Sequence, residues 1–226
     1  MIGYFVTGTD TGVGKTRVTA ALARALVARD KAAGRPPHVT VVKLVQTGLG
    51  PGEPGDADEA ASLAGCFARE LHRFRLPADP WNAALAEGTV PLRARALANE
   101  LDALTGALVI EGAGGAAVPI NDAETFADVA ARAGAHAVVT IGLRLGCINH
   151  AILTLEFLAR RDVAIVALAY TEPWEPVDPA YRLQVERAVS AKTSATRAPR
   201  AIYLPHDSDA ARSVATAAGL VDFLPE

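Results

Sequence analysis

Short apolar runs alternate along the chain with longer segments in which apolar residues recur at helical spacing. Continuous apolar runs are typical of strands that are buried on both faces, as in a parallel sheet covered by helices. The pattern predicts strands at residues 2–7, 38–43, 107–111, 137–142, 163–169 and 201–204. It predicts helices at residues 15–29, 58–63, 92–104, 124–132, 148–160, 179–190 and 208–218.

The alternation of strands and helices predicts a single P-loop-like α/β domain over residues 1–226, with a doubly wound, mostly parallel sheet flanked by helices. The sequence shows no internal repeat. Segments 50–55 and 172–179 are rich in glycine or proline and are interpreted as loops rather than as linkers between domains. In such folds ligands bind beyond the carboxyl ends of the strands, so functional side chains are expected there.

Composition and charge restrict the partners that the chain is expected to have. The 226 residues carry a formal net charge of −3, and aromatic residues make up 5%. A nucleic-acid surface needs clustered Lys and Arg or stacking aromatics, so no nucleic-acid partner is expected. The apolar runs are far shorter than the roughly 20 residues of a membrane span, and the first residues do not read as a signal peptide, so no membrane partner is expected. Two cysteines cannot form a disulfide framework, which favours a cytoplasmic location.

The first predicted strand runs into a glycine-rich segment, Gly8-Thr9-Asp10-Thr11-Gly12-Val13-Gly14-Lys15-Thr16, which is followed by a predicted helix. Glycines let the backbone turn tightly with its N–H groups inward, and a helix start adds positive potential, so the segment is suited to bind phosphate. In a P-loop of this kind Lys15 reaches the β- and γ-phosphates, and the Thr16 hydroxyl ligates Mg²⁺. Five residues separate Gly8 from Gly14, one more than in the usual pattern. The alternative is an ordinary glycine-rich turn.

Two carboxylates and one lysine are placed to complete a site for magnesium and a nucleotide. Glu111 ends a predicted strand and opens Glu111-Gly112-Ala113-Gly114-Gly115, and Asp58 begins a predicted helix, with Asp56 two residues earlier. Carboxylates are preferred ligands of Mg²⁺, and the alternative for Asp58 is a helix cap. Lys43 ends the second predicted strand, where it is expected to stabilise a transferring phosphoryl group. The alternative for Lys43 is a surface lysine whose stem lies along apolar surface.

These segments, in this order, resemble dethiobiotin synthetases, a family of P-loop enzymes. The likeness covers roughly residues 2–160, and beyond them it is mainly architectural. It is carried by the phosphate loop with its extra residue, by residues 43–48 and 111–115, by Thr125-Phe126-Ala127-Asp128, and by Leu145-Gly146-Cys147-Ile148-Asn149-His150-Ala151. The last segment is much more specific than the phosphate loop, which many P-loop proteins share.

The resemblance implies an enzyme of biotin biosynthesis that uses ATP and Mg²⁺ to close a cyclic urea. Its substrates would be 7,8-diaminopelargonate and CO₂. One amine would take up CO₂ to form a carbamate, whose oxygen attacks the γ-phosphate of ATP. The second amine would then close the ring and release phosphate. The resemblance implies that Lys43, Lys15 and Thr11 are catalytic, and that Thr16, Asp58 and Glu111 hold the metal.

The same resemblance implies which residues bind each ligand. The nucleotide would contact Gly12, Val13, Gly14, Lys15, Thr16, Arg17, Asp58, Glu111, Gly112, Ala113, Gly114, Thr171, Pro205 and His206. The substrate would contact Thr11, Lys43, Thr47, Gly146, Cys147, Ile148 and Asn149. The last four lie where a helix is predicted to start, and a helix start is a ready site for an anion. In the family this site binds the distal carboxylate of the substrate from the second subunit, so a homodimer is expected.

Two departures from the family pattern bear on function. Members commonly carry Lys-Pro where this chain has Lys43-Leu44, which changes the stiffness of the loop but keeps the amine. The asparagine with which the family binds adenine is replaced within Tyr170-Thr171-Glu172-Pro173. The absent amide predicts a looser choice of nucleotide.

Two other functions are compatible with a P-loop of this branch. A partitioning-type or septum-positioning ATPase switch usually has a second lysine inside the loop, near the place where this chain has Asp10, and a basic or amphipathic docking segment. A related amide- or urea-forming ligase, such as a cobyrinate-type amidase, is disfavoured because no glutamine-hydrolysing domain is evident. A purely structural or binding role would leave Lys15, Lys43 and both acids unexplained.

Overall fold

Seven parallel strands form one sheet in the computed structural model, which describes residues 3–193 and 198–218. The strands are β1 (Gly3–Gly8), β2 (Val39–Thr47), β3 (Phe67–Phe74), β4 (Ala107–Gly115), β5 (His136–Gly142), β6 (Ile165–Thr171) and β7 (Arg200–Leu204). They lie in the order β3-β2-β4-β1-β5-β6-β7, and each neighbouring pair is parallel. The chain therefore moves outward from β1 to one edge, returns to β4, and then moves to the other edge, as in a doubly wound fold.

Eight helices in these residues cover the two faces of the sheet. They are α1 (Lys15–Ala32), α2 (Asp56–Ala64), α3 (Pro80–Ala86), α4 (Ala94–Asp102), α5 (Phe126–Arg132), α6 (Cys147–Ala159), α7 (Pro179–Ser190) and α8 (Ala210–Ala218). Across the described part of the chain, none of the helices combines the length and apolar character that a membrane crossing requires.

Alternate residues of the central strands enter two apolar cores, one on each face of the sheet. On β1, Phe5 belongs to the core that α3 to α7 cover, whereas Tyr4 and Val6 belong to the core beneath α1, α2 and α8. Phe126 of α5 and Leu22 of α1 are among the largest fully buried side chains of the two cores. Because both faces are buried, the central strands read as continuous apolar runs, which is why the sequence reveals them.

The predicted doubly wound α/β fold is confirmed, and each predicted strand and helix overlaps an observed one. Residue 2 of the first predicted strand lies outside the described residues. The sequence pattern does not predict β3, because this edge strand carries charged residues in place of an apolar run and Phe67 is 64% exposed. It does not predict α3 either, since seven residues capped by Asp79 are too few to show a helical period.

Candidate active site

A cleft of about 820 Å³ lies at the carboxyl edge of the sheet. It is bounded by the loop between β1 and α1 and by the ends of β2, β4, β6 and β7, which is where a doubly wound fold binds its ligand. Most of the residues predicted from the sequence line it, namely Thr11, Gly12, Gly14, Lys15, Thr16, Arg17, Lys43, Thr47, Glu111, Ala113, Gly114, Thr171, Pro205 and His206. The other predicted residues, all of them described by the structure, are not among its lining residues: Val13, Asp58, Gly112, Gly146, Cys147, Ile148 and Asn149.

Glycines shape the loop between β1 and α1. Gly12 and Gly14 have φ angles of 72° and 87°, a region that other residues rarely adopt. A Cβ on Gly8 would lie 2.7 Å from the carbonyl oxygen of Asp10, so this position has no room for a side chain. Because α1 begins directly after Gly14, its first turn lines the cleft with N–H groups that have no partner inside the helix. Such groups are suited to bind phosphate.

Two buried lysines bring positive charge to the cleft. Nζ of Lys15 donates to the backbone oxygen of Asp10 at 3.2 Å. Nζ of Lys43 donates to Oε1 of Glu111 at 2.8 Å and to the carboxylate of Asp56. Burial lowers the pKa of Lys15, and the nearby carboxylate of Glu111 offsets this only in part. Burial also opposes the charge of Lys43, but Glu111 and Asp56 outweigh it, so the pKa of Lys43 is raised and the side chain is an ammonium at neutral pH.

Glu111, at the end of the apolar part of β4, is a buried carboxylate with a donor for each oxygen. Its Oε1 accepts from Lys43 and from the hydroxyl of Thr16 at 3.2 Å, and its Oε2 accepts from the hydroxyl of Thr19 at 2.7 Å. These bonds offset the cost of burying its charge. Thr19 lies outside the motifs that predict the site. Its position three residues after Thr16, on the same face of α1, is the signal that points to it.

The structure places Asp56 rather than Asp58 in the cleft. Helix α2 begins at Asp56, two residues before the predicted start, and Oδ2 of Asp58 accepts the backbone N–H of Gly55 at 2.9 Å. Asp58 therefore caps the helix, which is the alternative that its sequence position allowed. Asp56 lines the cleft and contacts Lys43, and its backbone N–H donates to Oε1 of Gln46 at 3.1 Å. Asp56 is therefore placed where a ligand in the cleft can contact it, whereas Asp58 does not line the cleft.

The far end of the cleft is formed by the loops that follow β6 and β7. The Thr171 hydroxyl donates to the backbone oxygen of Val13 at 2.6 Å, so it supports the phosphate loop. Glu172, which is not among the predicted site residues, is buried and joins the loop after β6 to β7 and to the loop that follows it. Its carboxylate accepts from the Tyr203 hydroxyl at 2.6 Å and from the backbone N–H of His206 at 2.9 Å.

The segment predicted to bind the substrate carboxylate opens α6 outside this cleft. Gly146, with a φ angle of 92°, directly precedes the helix. Leu145 is 96% exposed and Asn149 is exposed, so the first turn of α6 is accessible at the surface. Arg144 forms an ion pair with Asp10 of the phosphate loop. The start of α6 is thus tied to the phosphate loop of its own chain without lining that chain's cleft.

The fold and the phosphate loop define a P-loop protein that binds a nucleotide. The family model described as an AAA domain matches residues 3–211. Among its relatives, the ATP-dependent dethiobiotin synthetase of Anaeromyxobacter sp. (strain K) is 40% identical over 81% of this chain and 82% of the relative. The enzyme of the same name from Anaeromyxobacter dehalogenans (strain 2CP-C) is 39% identical over 94% of this chain and 93% of the relative. The chain belongs to the dethiobiotin synthetase family.

Solved structures share the fold at much lower identity. A ParA family ATPase from Chlorobium tepidum TLS is similar with a TM-score of 0.55 at 12% identity, covering 99% of this chain and 93% of that one. The MinC:MinD cell division protein complex of Aquifex aeolicus gives 0.53 at 14%, covering 100% and 98%. Likeness at such identity shows the fold alone. The partitioning-type switch is therefore not favoured, because the relatives that share sequence over most of the chain are synthetases.

Proposed function

We propose that the chain is an ATP-dependent cyclo-ligase that converts 7,8-diaminopelargonate and CO₂ into dethiobiotin, ADP and phosphate. The name that the relatives carry, ATP-dependent dethiobiotin synthetase, supports this at 39% to 40% identity over most of the chain. The structural observation that carries the proposal is the placement of two buried lysines, Lys15 and Lys43, in one cleft with the phosphate loop and the carboxylate of Glu111.

The reaction requires charge to be stabilised at three successive stages. One amine adds to CO₂, loses a proton and becomes an anionic carbamate. A carbamate oxygen attacks the γ-phosphorus of ATP, and ADP leaves. The second amine attacks the carbonyl carbon of the carbamic-phosphoric anhydride, so that the ring closes and phosphate leaves. The protein contributes mainly by positioning the reactants and by holding cationic groups where negative charge develops.

The phosphate loop and the first turn of α1 are proposed to bind the triphosphate of ATP. The backbone of Gly12 to Gly14 would surround the phosphates, and Lys15 would contact the β- and γ-phosphates. The Arg17 guanidinium donates to the backbone oxygen of Asp207 at 2.7 Å, which holds the loop after β7 against α1. That loop supplies Pro205 and His206, which are proposed to flank the base together with Thr171.

Magnesium is proposed to be held by Thr16, Glu111 and Asp56, with Asp56 in place of Asp58. One hydroxyl and two carboxylates are hard oxygen donors, which this ion prefers. The donor set fits, because Oγ1 of Thr16 lies 3.2 Å from Oε1 of Glu111, and because Asp56 and Glu111 contact the same Lys43 ammonium. When bound, the ion would neutralise charge on the transferring phosphate.

Lys43, Thr11 and Thr47 are proposed to act on the substrate. All three line the cleft beside the phosphate loop. The Lys43 ammonium is suited to stabilise the carbamate and the phosphoryl group, because it is buried and a buried charge acts more strongly than one in water. The hydroxyls of Thr11 and Thr47 would bind the carbamate or the diamine by hydrogen bonds.

A homodimer is proposed in which α6 of one protomer completes the cleft of the other. Residues 146–149 do not line the cleft of their own chain, although they form a helix start that suits a carboxylate. Large apolar side chains are exposed on and beside this helix: Leu145 at 96%, Leu153 at 58% and, on α7, Leu183 at 56%. Exposed apolar residues on adjoining helices are typical of a protein interface.

Product formation from labelled bicarbonate tests the proposed function. The protein is mixed with 7,8-diaminopelargonate, Mg-ATP and labelled bicarbonate, and labelled dethiobiotin is expected. Lys15→Gln and Lys43→Gln should each abolish the product while circular dichroism shows an intact fold. Lys31→Gln, which changes an exposed lysine of α1, is the matched control and should keep full activity. Absence of labelled product with the wild-type protein would overturn the proposal.

A further inference from the structure

The Lys43 ammonium contacts the same oxygens that are proposed to hold magnesium. Its Nζ lies 2.8 Å from Oε1 of Glu111 and also contacts Oδ2 of Asp56. Oε1 of Glu111 is in turn 3.2 Å from the hydroxyl oxygen of Thr16. Two of the three proposed metal ligands therefore bind the ammonium directly, and the third, Thr16, contacts the Glu111 oxygen that the ammonium also binds.

The ammonium has no spare donor in this arrangement. Its third hydrogen bond goes to the backbone oxygen of Gly112 at 3.3 Å, and an ammonium has three N–H groups. Lys43 is only 2% exposed. A substrate carbamate can therefore receive a hydrogen bond from Lys43 only after the ammonium leaves at least one of its present partners.

A magnesium ion and the ammonium compete for these oxygens. Magnesium binds oxygen at about 2.0–2.1 Å. An ion that close to Oε1 of Glu111 and Oδ2 of Asp56 would lie near Nζ, which both oxygens already contact, and the two positive charges would repel each other. Removing both cations is unfavourable as well, because two neighbouring carboxylates would then face each other without a counter-ion.

Lys15 does not donate a hydrogen bond to either of these carboxylates. Its Nζ donates to the backbone oxygen of Asp10 instead of to a carboxylate. The two buried lysines of the cleft thus differ in their partners, which makes Lys15 the natural control for Lys43.

We propose that Lys43 and Mg²⁺ are alternative counter-ions of Asp56 and Glu111, and that binding of the magnesium–nucleotide complex releases the Lys43 ammonium into the cleft. Its consequence for catalysis rests on the proposed function. The released ammonium becomes available to the carbamate only when the nucleotide and its metal are in place. Lys43 thereby links metal binding to activation of the substrate.

We call this replacement of the Lys43 ammonium by Mg²⁺ at Asp56 and Glu111 the exchange. Magnesium titrations of charge variants test it directly. MgCl₂ alone is added to the wild-type protein, Lys43→Met and Lys15→Met, and the unfolding temperature is followed. Without the competing ammonium, Lys43→Met should respond at a magnesium concentration lower by on the order of tenfold, the effect of removing one close charge. Lys15→Met removes a nearby charge that donates to no carboxylate, so its midpoint should fall by clearly less than that of Lys43→Met. An unchanged or higher midpoint in Lys43→Met would overturn the proposal.

A measurement on the wild-type protein covers the case in which Lys43→Met does not fold. The chain has four lysines, Lys15, Lys31, Lys43 and Lys192, so the side chains of ¹³C-labelled lysine give few NMR signals. Exposed Lys31 and Lys192 are assigned from their Gln variants, which leaves the two buried lysines. Addition of ADP without metal should shift one buried lysine signal, that of Lys15, and subsequent Mg²⁺ should shift the other. A second signal that does not respond to Mg²⁺ would contradict the exchange.

These measurements separate the exchange from the proposed function. Failure of the wild-type protein to form labelled dethiobiotin would refute the ligase activity without changing the magnesium midpoints. Equal midpoints together with normal product would refute the exchange and leave the ligase activity standing.

Discussion

The hydroxyl of Thr19 donates a 2.7 Å hydrogen bond to Oε2 of Glu111, and both side chains are buried. This bond fixes one oxygen of the carboxylate and leaves Oε1 to Thr16 and Lys43. Since Thr16 and Thr19 lie three residues apart on α1, a single helix face ties the phosphate loop to the end of the apolar part of β4. Thr19 thus acts as a positioning residue for the proposed metal ligand.

Replacing Thr19 by valine should weaken metal binding more than it slows the enzyme at saturating magnesium. The isosteric change removes one donor from a buried carboxylate, which costs about 1–3 kcal/mol of folding stability. The magnesium concentration for half-maximal activity should rise by roughly tenfold, as for other groups that support a metal ligand. Thr19→Ser keeps the hydroxyl and should restore the wild-type midpoint. A loss of stability with an unchanged magnesium midpoint would limit Thr19 to a structural role.

Alanine substitutions of the two aspartates at the start of α2 should affect different properties, namely stability for Asp58 and magnesium dependence for Asp56. Asp58→Ala removes the helix cap on Gly55 and should cost about 0.5–2 kcal/mol of stability, measured by urea unfolding, with little change in magnesium dependence. Asp56→Ala should raise the magnesium concentration for half-maximal activity by on the order of tenfold or more. If Asp58→Ala produces the larger change in magnesium dependence, the assignment of Asp56 is wrong.

The sequence predicts most of the polar residues of the cleft but does not distinguish Asp56 from Asp58. Lys15, Thr16, Lys43 and Glu111 are predictable because each lies in a motif or near the end of an apolar run, and the ends of parallel strands meet at one edge of the sheet. The choice between Asp56 and Asp58 depends on where α2 begins. A shift of two residues turns a predicted ligand into a cap, and the propensity of aspartate for helix starts cannot distinguish the two.

The other features that the sequence does not predict depend on contacts between residues far apart in the chain. The bond between Thr19 and Glu111 joins residues 92 positions apart, and Glu172 accepts hydrogen bonds from Tyr203 of β7 and from His206 in the loop after it. No local pattern encodes such pairs. Strand β3 is missed for a related reason, since an edge strand with exposed Phe67 needs no continuous apolar run.

The protein is predicted to discriminate only weakly between ATP, CTP and GTP. Thr171 lies in the segment that replaces the family's asparagine, and its hydroxyl donates to the backbone of Val13, so this side chain has no donor left for the base. Rates with CTP and GTP should lie within about tenfold of the rate with ATP at equal concentrations, since little hydrogen-bond discrimination is available. Thr171→Asn should narrow the choice toward ATP. A strong preference of the wild-type protein for ATP alone would refute this prediction.

Asp128 should contribute stability that depends on pH. Its Oδ2 accepts from the backbone N–H and the hydroxyl of Thr125, both at 2.7 Å, and its Oδ1 accepts from Arg161 at 3.1 Å. Burial favours the neutral acid, but these partners outweigh it and hold the pKa of Asp128 below its ordinary value. The unfolded chain therefore binds the proton more readily. The stabilisation is complete above the ordinary pKa, near 3.9, and is lost as the pH falls through the lower folded value.

Urea unfolding of Asp128→Asn tests this dependence. The variant should be less stable than the wild type by about 1–2 kcal/mol at pH 7, and the difference should shrink as the pH falls below about 4. Glu156→Gln alters an exposed pair with Arg160 and should change stability far less. A difference between Asp128→Asn and the wild type that stays constant with pH would contradict the role of the carboxylate charge.

Two inactive variants should restore activity when they share a dimer, if α6 of one protomer completes the cleft of the other. Lys15→Gln disables the phosphate loop, and Asn149→Asp places a negative charge at an exposed position where the substrate carboxylate is proposed to bind. A mixed dimer then combines an intact phosphate loop with an intact α6 in one of its two sites. Co-expression at equal levels should give roughly a quarter of wild-type activity, because half of the dimers are mixed and each has one working site. Each variant alone provides the control. If both functions belong to the same chain, every site in the mixture keeps one defect and no activity returns.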